Sequence, residues 1–434
     1  MQLYSTNNKS LNISLEEALF RGLSSDGGLF LPLNIPKLDD TFFKNIANYS
    51  LKDIAFIVCC TLIGGDISAT DLKLIIDEAI NFDAPVKNIH DNIYVLELFH
   101  GPSLSFKDFG ARFMASLMSY YLKRRNTDNS INILVATSGD TGSAVAQGFV
   151  NMDNIKITIL YPSEKVSEIQ EQQLTTLGNN ITALEIDGTF DDCQRMVKEA
   201  FLDDELCQKL NLTSANSINI GRLIPQSIYY FYTYSQLPNK PLIISVPSGN
   251  FGNLSGGIIA KKMGLPVTKF IASTNINNIV PQYLDTGVYS PRQSIKTIAN
   301  AMDVGTPSNF IRLSEFYSND ITKIRQDIIG RSYTDDEIKL VIKKVYSEFH
   351  YILDPHGAVA YLGLTDYLSE SNINNVNGVF LETAHPAKFF EDIESILGEK
   401  ITMPVSLQHA MEQQKLSIKV KNNFAALKEF LLSS

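Results

Sequence analysis

From about residue 92 onward, short uninterrupted apolar runs alternate with amphipathic stretches. "INILVA" (131–136), "IKITILYP" (155–162), "ITALEI" (181–186), "PLIISV" (241–246), "VTKFIAS" (267–273) and "NGVFLE" (377–382) read as buried strands. Between them, "SAVAQGFVNM", "GTFDDCQRMVKEAF" and "NLSGGIIAKKMG" carry helical periodicity, the last stopping at Gly264. Runs without polar alternation belong to strands covered on both faces, so the pattern predicts α/β architecture with parallel sheets. A further buried helix face is marked by Phe109, Phe113, Leu117 and Tyr121 at i, i+4 spacing, just after Lys107.

The first 90 residues predict a partly helical lead segment: Ser14 caps "LEEALFRGL", and Gly27–Gly28 break the pattern before "LFLP". The expected division is an N-terminal segment (1–90), two α/β regions (91–240 and 241–400) and an amphipathic helical tail (401–434).

Glycine- and hydroxyl-rich loops follow the strands, where open α/β sheets bind their ligands. In "VPSGNFGN" (246–253), Gly249 and Gly252 can take positive φ and turn backbone N–H groups inward. The next helix adds the positive end of its dipole, which suits a phosphate. The same residues also make an ordinary strand-to-helix turn. "ATSGDTG" (136–142) repeats the design with Thr137, Ser138, Gly139 and Thr141, but Asp140 would repel an anion there. A helix N-cap explains that loop equally well. "LTSANSINIGR" (212–222) gathers Asn216, Ser217, Asn219 and Arg222. It is either a hydrogen-bonded loop or a phosphate contact through the planar Arg222 guanidinium.

Composition narrows the field. The 434 residues carry a formal net charge of -10, which argues against a nucleic-acid surface. No apolar run reaches the length of a membrane span, and the first residues lack a secretion-signal pattern. Four cysteines without metal-ligand spacing suit a reducing cytosol, so a cytoplasmic location is expected. Six scattered histidines make a catalytic metal unexpected.

Two anion-type loops and a lysine at a helix start together fit pyridoxal phosphate. That cofactor needs a phosphate cradle, an amine for its aldehyde and a group at its pyridine nitrogen. Burial and a helix N-terminus both favour the neutral amine of Lys107.

"LEEALFRGLSSDGGLFLP", "SLSFKDFGAR", "VATSGDTGSAVA", "LTSANSINIGRL", "VPSGNFGN", "ASTNINN", "NAMDVGTPSNF", "DPHGAVAYLG" and "TAHPAKF" occur in this order along nearly the whole chain. In this the sequence resembles the threonine synthase family, of the long bacterial and fungal type. The resemblance implies two parallel-sheet α/β lobes of the tryptophan synthase β-like kind (fold type II), with a mostly helical N-terminal segment. It implies conversion of O-phospho-L-homoserine and water to L-threonine and phosphate by a pyridoxal 5'-phosphate enzyme, acting as a monomer. Carried over by motif, Lys107 is the Schiff-base lysine, and Gly249, Asn250, Phe251, Gly252 and Asn253 hold the cofactor phosphate. Thr383 faces the pyridine nitrogen. Thr137 joins Ser138, Gly139, Asp140 and Thr141 around the substrate carboxylate and the cofactor ring. Asn216, Ser217, Asn219, Arg222, Lys165 and Lys388 are candidates for the substrate phosphate. Rival readings are a phospholyase releasing a keto acid and ammonia from the same substrate, a serine/threonine dehydratase, and a non-catalytic phosphoamino-acid binder.

Overall fold

The computed structural model describes residues 1–433 apart from 126–129, 164, 165, 372 and 374. Two parallel sheets form the body. The larger has the order Ile328–Ser332, Val267–Thr274, Leu242–Pro247, Asn377–Glu382, Ile93–Glu97, Val86–His90. Only its edge pair, Val86–His90 with Ile93–Glu97, is antiparallel. The smaller runs Ser417–Val420, Ile181–Ile186, Ile155–Pro162, Ile131–Ala136, Leu212–Ser214, parallel throughout. The strand Leu242–Pro247 is buried at every position, which is why its sequence shows no alternation.

Chain position misassigns two segments. Ile93–Glu97 falls in the first α/β region by number, yet it pairs with Asn377–Glu382 in the larger sheet, Leu96 opposite Leu381. The tail is not helix alone: between Val405–Glu412 and Phe424–Ser433 lies the strand Ser417–Val420, which extends the smaller sheet beside Ile181–Ile186. Both pairings join distant parts of the chain, and parallel pairing leaves no local turn signal to read. The N-terminal segment also holds a small antiparallel sheet of Asn12–Ser14, Gln2–Ser5 and Phe30–Pro32 beside its helices.

The helix Lys107–Arg125 begins at Lys107 itself. Phe109, Phe113 and Leu117 are wholly buried and Tyr121 nearly so. Each contributes about 1.5–3 kcal/mol through burial. The Phe109 ring packs edge-on against Phe82 and Tyr229, with centroids 4.9 and 5.4 Å away. This packing fixes the first turn and with it the lysine. Among the described residues no helix is long and apolar enough to cross a membrane.

Candidate active site

The loop before Lys107 is zipped to the end of the strand Asn377–Glu382. Phe106 N donates to Thr383 O at 2.9 Å, His385 N donates to Leu104 O at 3.0 Å, and Ser105 bridges Ala384. Asp108, wholly buried, accepts from Ser103 N at 2.9 Å and braces the turn. Thr383 and Lys107 therefore line the same cleft, of about 1890 Å³, although 276 positions separate them in the numbering. The Lys107 side chain is only 14% exposed. Burial pushes its pKa down from that of an ordinary lysine. Asp140 opposes this, while Lys388 and Arg222 reinforce it.

Across the cleft, the strand Leu242–Pro247 leads into the helix Gly252–Lys262. Here the structure corrects an expectation. Gly249 and Gly252 do not take positive φ; the left-handed residue is Phe251, buried at the N-cap with φ 61°. The glycines serve close approach instead. A Cβ on Gly249 would stand 2.5 Å from Ala301 O and 3.0 Å from Met302 Cα. At Gly252 a Cβ would stand in ordinary contact with the side-chain amides of Asn309 and Gln226, 3.5 and 3.7 Å away. The N-cap side chain makes no hydrogen bond to the first turn. Glycines that bring the backbone close, side-chain amides and a helix N-terminus fit a phosphate. Asn250 and Asn253 shape this turn: Asn250 Oδ1 accepts from Ser308 N at 3.1 Å, and Asn253 Nδ2 donates to Pro247 O at 2.7 Å. We expect Gly249→Ala to push the loop off the 301–302 backbone, an overpacking worth about 1–3 kcal/mol. Its affinity for pyridoxal phosphate, measured by titrating the apoprotein, should fall by roughly tenfold or more.

In the 136–142 loop, the Thr137 hydroxyl accepts from Gly139 N and Gly142 N at 3.0 and 2.8 Å, so it ties the turn together. Ser138 and Thr141 line the cleft beside the start of the helix Asp140–Phe149. Gly139, at φ 140°, lies against Gln170, where a Cβ would come within 2.5 Å of the Gln170 amide carbon. Asp140 is buried between two lysines. Its Oδ1 meets Lys388 Nζ at 2.8 Å and Gln170 Nε2 at 2.9 Å, and its Oδ2 lies 3.7 Å from Lys107 Nζ. Despite burial, Lys388 first and then Lys107 hold its carboxyl far below the usual range.

Of the four candidates in residues 212–222, Asn216, Ser217 and Arg222 line the cleft. Asn216 Nδ2 donates to Ala136 O at 3.0 Å, linking this loop to the strand Ile131–Ala136. Arg222 is buried, donates to Ala215 O at 2.6 Å, and leaves Nε without a partner against Gly110, where a Cβ would come within 2.7 Å. Burial pushes its pKa down to about 10, so it remains a cation at neutral pH.

Three of the described candidates fall outside the cleft lining: Gly139, which is packed against Gln170, Asn219 and Lys388. Asn219 is wholly buried and caps the helix Ile220–Leu223. It donates to Leu19 O and Ser214 O at 2.9 and 3.0 Å and accepts from Gly221 N, which commits its amide to the fold. Lys388 is also wholly buried, held by Asp140 and by Ser103 O at 2.8 Å, and so turned away from the substrate space. Lys165 lies outside the described residues.

Sequence reading missed several supports. Arg312, wholly buried, donates to Phe30 O, Ser217 O, Ile218 O and Asn309 Oδ1, so the N-terminal segment buttresses the Ser217 loop. His356 Nε2 accepts from Ala301 N at 3.1 Å, which places the ring proton on Nδ1, facing Asp354 Oδ1 at 2.6 Å. That pair steadies the backbone behind Gly249. The "DPHG" stretch was the available signal for His356; Arg312 had none, since a lone arginine on a helix reads as surface.

A buried amine and a glycine-asparagine turn at a helix N-terminus share one cleft at the strand ends of a parallel α/β body, the arrangement of a pyridoxal-phosphate-dependent enzyme of fold type II. Residues 79–381 match the family described as "Pyridoxal-phosphate dependent enzyme", residues 2–80 "Threonine synthase N terminus" and residues 357–431 "Threonine synthase, C-terminal". The chain belongs to the threonine synthase family. It is 42% identical over 440 residues to threonine synthase of Haemophilus influenzae, with all of both chains covered. The crystal structure of Escherichia coli threonine synthase is similar at a TM-score of 0.93 and 40% identity, again covering all of both chains. The pyridoxal-phosphate-bound threonine synthase of Brucella melitensis superimposes at a TM-score of 0.92 and 33% identity, over 99% of this chain and 98% of that one.

Proposed function

We propose that this chain converts O-phospho-L-homoserine and water to L-threonine and phosphate. The carrying observation is the position of Lys107, a buried amine in a cleft bordered by both the Gly249–Asn253 turn and the Arg222 cation, whose Nε has no partner. Whole-length similarity to threonine synthases supports the same reading.

The cradle would hold the cofactor phosphate, Lys107 its aldehyde, and the Thr383 hydroxyl its ring nitrogen. Bound there, pyridoxal phosphate supplies an electron-accepting ring that spreads the negative charge left on a substrate carbon. The residues of the chain do the rest. Ser138, Thr141 and the N-terminus of the helix Asp140–Phe149 orient the substrate carboxylate. Lys107, whose pKa burial pushes down, takes protons from the substrate carbons and returns them. Arg222 and Ser217, which both line the cleft, receive the phosphate leaving the γ carbon. Water adds at the β carbon. The balance is one water consumed and one phosphate released per threonine.

The test is incubation of the purified protein with phosphohomoserine and identification of every product. Threonine and phosphate in equal amounts support the proposal. A keto acid with ammonia and phosphate would make the chain a phospholyase, and unchanged substrate would leave it a binder.

A further inference from the structure

Asp140 poses a problem that its loop does not solve. A carboxylate near a lysine ordinarily favours the ammonium, raising the lysine pKa by about 1–3 units, whereas Lys107 has to offer a lone pair. Lys388 stands on the far side of Asp140. It enters on the turn Pro386–Phe389, is wholly buried, and lies outside the cleft lining. Its ammonium holds Asp140 Oδ1 at 2.8 Å and donates to Ser103 O at 2.8 Å. Gln170 Nε2 takes the same Oδ1 at 2.9 Å, which leaves Oδ2 toward Lys107 at 3.7 Å.

We propose that Lys388 is a positioning residue: by cancelling the charge of Asp140 and fixing its orientation, it keeps the Lys107 amine neutral and reactive. The pair then presents Lys107 with a hydrogen-bonding group of no net charge. This rests on the proposed role of Lys107. It also explains how an aspartate can occupy a loop that borders anions, since the local charge belongs to the pair. The charged groups facing Lys107 are Asp140, Lys388 and Arg222. Asp108, on the lysine's own helix, faces Lys388 and Arg222, and His385 feels Lys388 from the adjoining turn.

The experiment measures the rate at which full-length apoprotein takes up pyridoxal phosphate as pH is varied, followed by the visible absorption of the attached cofactor. In that step the amine nitrogen adds to the aldehyde carbon, a C=N bond replaces C=O, and the oxygen leaves as water with the two amine hydrogens. The midpoint of the rate against pH reports the fraction of free amine. Lys388→Met should raise that midpoint by about 1–3 units, a tenfold or greater slowing below it. Asp140→Asn should lower it, since Lys388 then repels a proton on Lys107 unopposed. The double variant Asp140→Asn/Lys388→Met should return it to within about half a unit of the parent. An unshifted midpoint in Lys388→Met, or a double variant displaced as far as Lys388→Met, overturns the inference. Should Lys388→Met be unfolded by circular dichroism, Asp140→Asn against the double variant decides: a restored midpoint supports the inference and equal midpoints overturn it. If Lys107→Ala still gains the parent's absorption band, the role of Lys107 fails, and this inference falls with it.

Discussion

Lys107→Ala is expected to abolish threonine formation, a loss of about 10⁴-fold or more, while leaving the fold intact. The size follows from two roles lost together. Without the amine there is no covalent attachment for the cofactor aldehyde and no base over the substrate carbon, and a positioned base alone contributes about 10²–10⁴. The fold survives because Lys107 is the first residue of its helix and alanine is a good helix former. Asp140 also keeps Lys388 and Gln170 as partners. The measurements are the visible absorption of the protein-bound cofactor, product analysis, and thermal unfolding of the variant. A parent-like absorption band in the variant would remove Lys107 from the mechanism.

Arg222→Leu should separate binding from stability. The guanidinium is buried, donates to the backbone carbonyl of Ala215 and leaves Nε without a partner, with Asp108 as the carboxylate that acts on its charge. A buried cation with unfilled donor capacity is unfavourable, and an anion delivered by the substrate would complement it. Removing it takes away charge-assisted bonds worth about 1.5–3 kcal/mol each, so kcat/KM for phosphohomoserine should fall about 10²-fold. Inhibition by inorganic phosphate should weaken in parallel. Stability should move by no more than about 2 kcal/mol, because the cost of burying a charge is removed together with one hydrogen bond. Unchanged KM and unchanged phosphate inhibition would place the substrate phosphate elsewhere.

These two residues also show how much the chain discloses by itself. Lys107 was legible as chemistry because its helix announces itself through Phe109, Phe113 and Leu117, and because a lysine at the start of so apolar a helix needs explaining. Arg222 was legible as a candidate, since guanidinium beside serine and asparagine suits phosphate. Lys388 and Asn219 had equally suggestive neighbours in sequence, yet their polar atoms are consumed by Asp140, Ser103, Leu19 and Ser214. Residue type says what a side chain can bind, and only packing says what has already bound it.

Apart from the strands Leu212–Ser214 and Ile328–Ser332, which it left unmarked, the sequence by itself determined the strands between Ile131 and Glu382, the helix capped by Ser14, and the three loops that carry the chemistry. Each is a local property, set by periodicity and capping within a dozen residues. The tertiary structure alone decided that Ile93–Glu97 lies beside Asn377–Glu382, and that Phe251 rather than a glycine takes the left-handed turn. It alone set Lys388 behind Asp140. Those outcomes depend on which distant backbones pair and how close they come, and parallel pairing and burial leave no mark on the neighbouring residues of the chain.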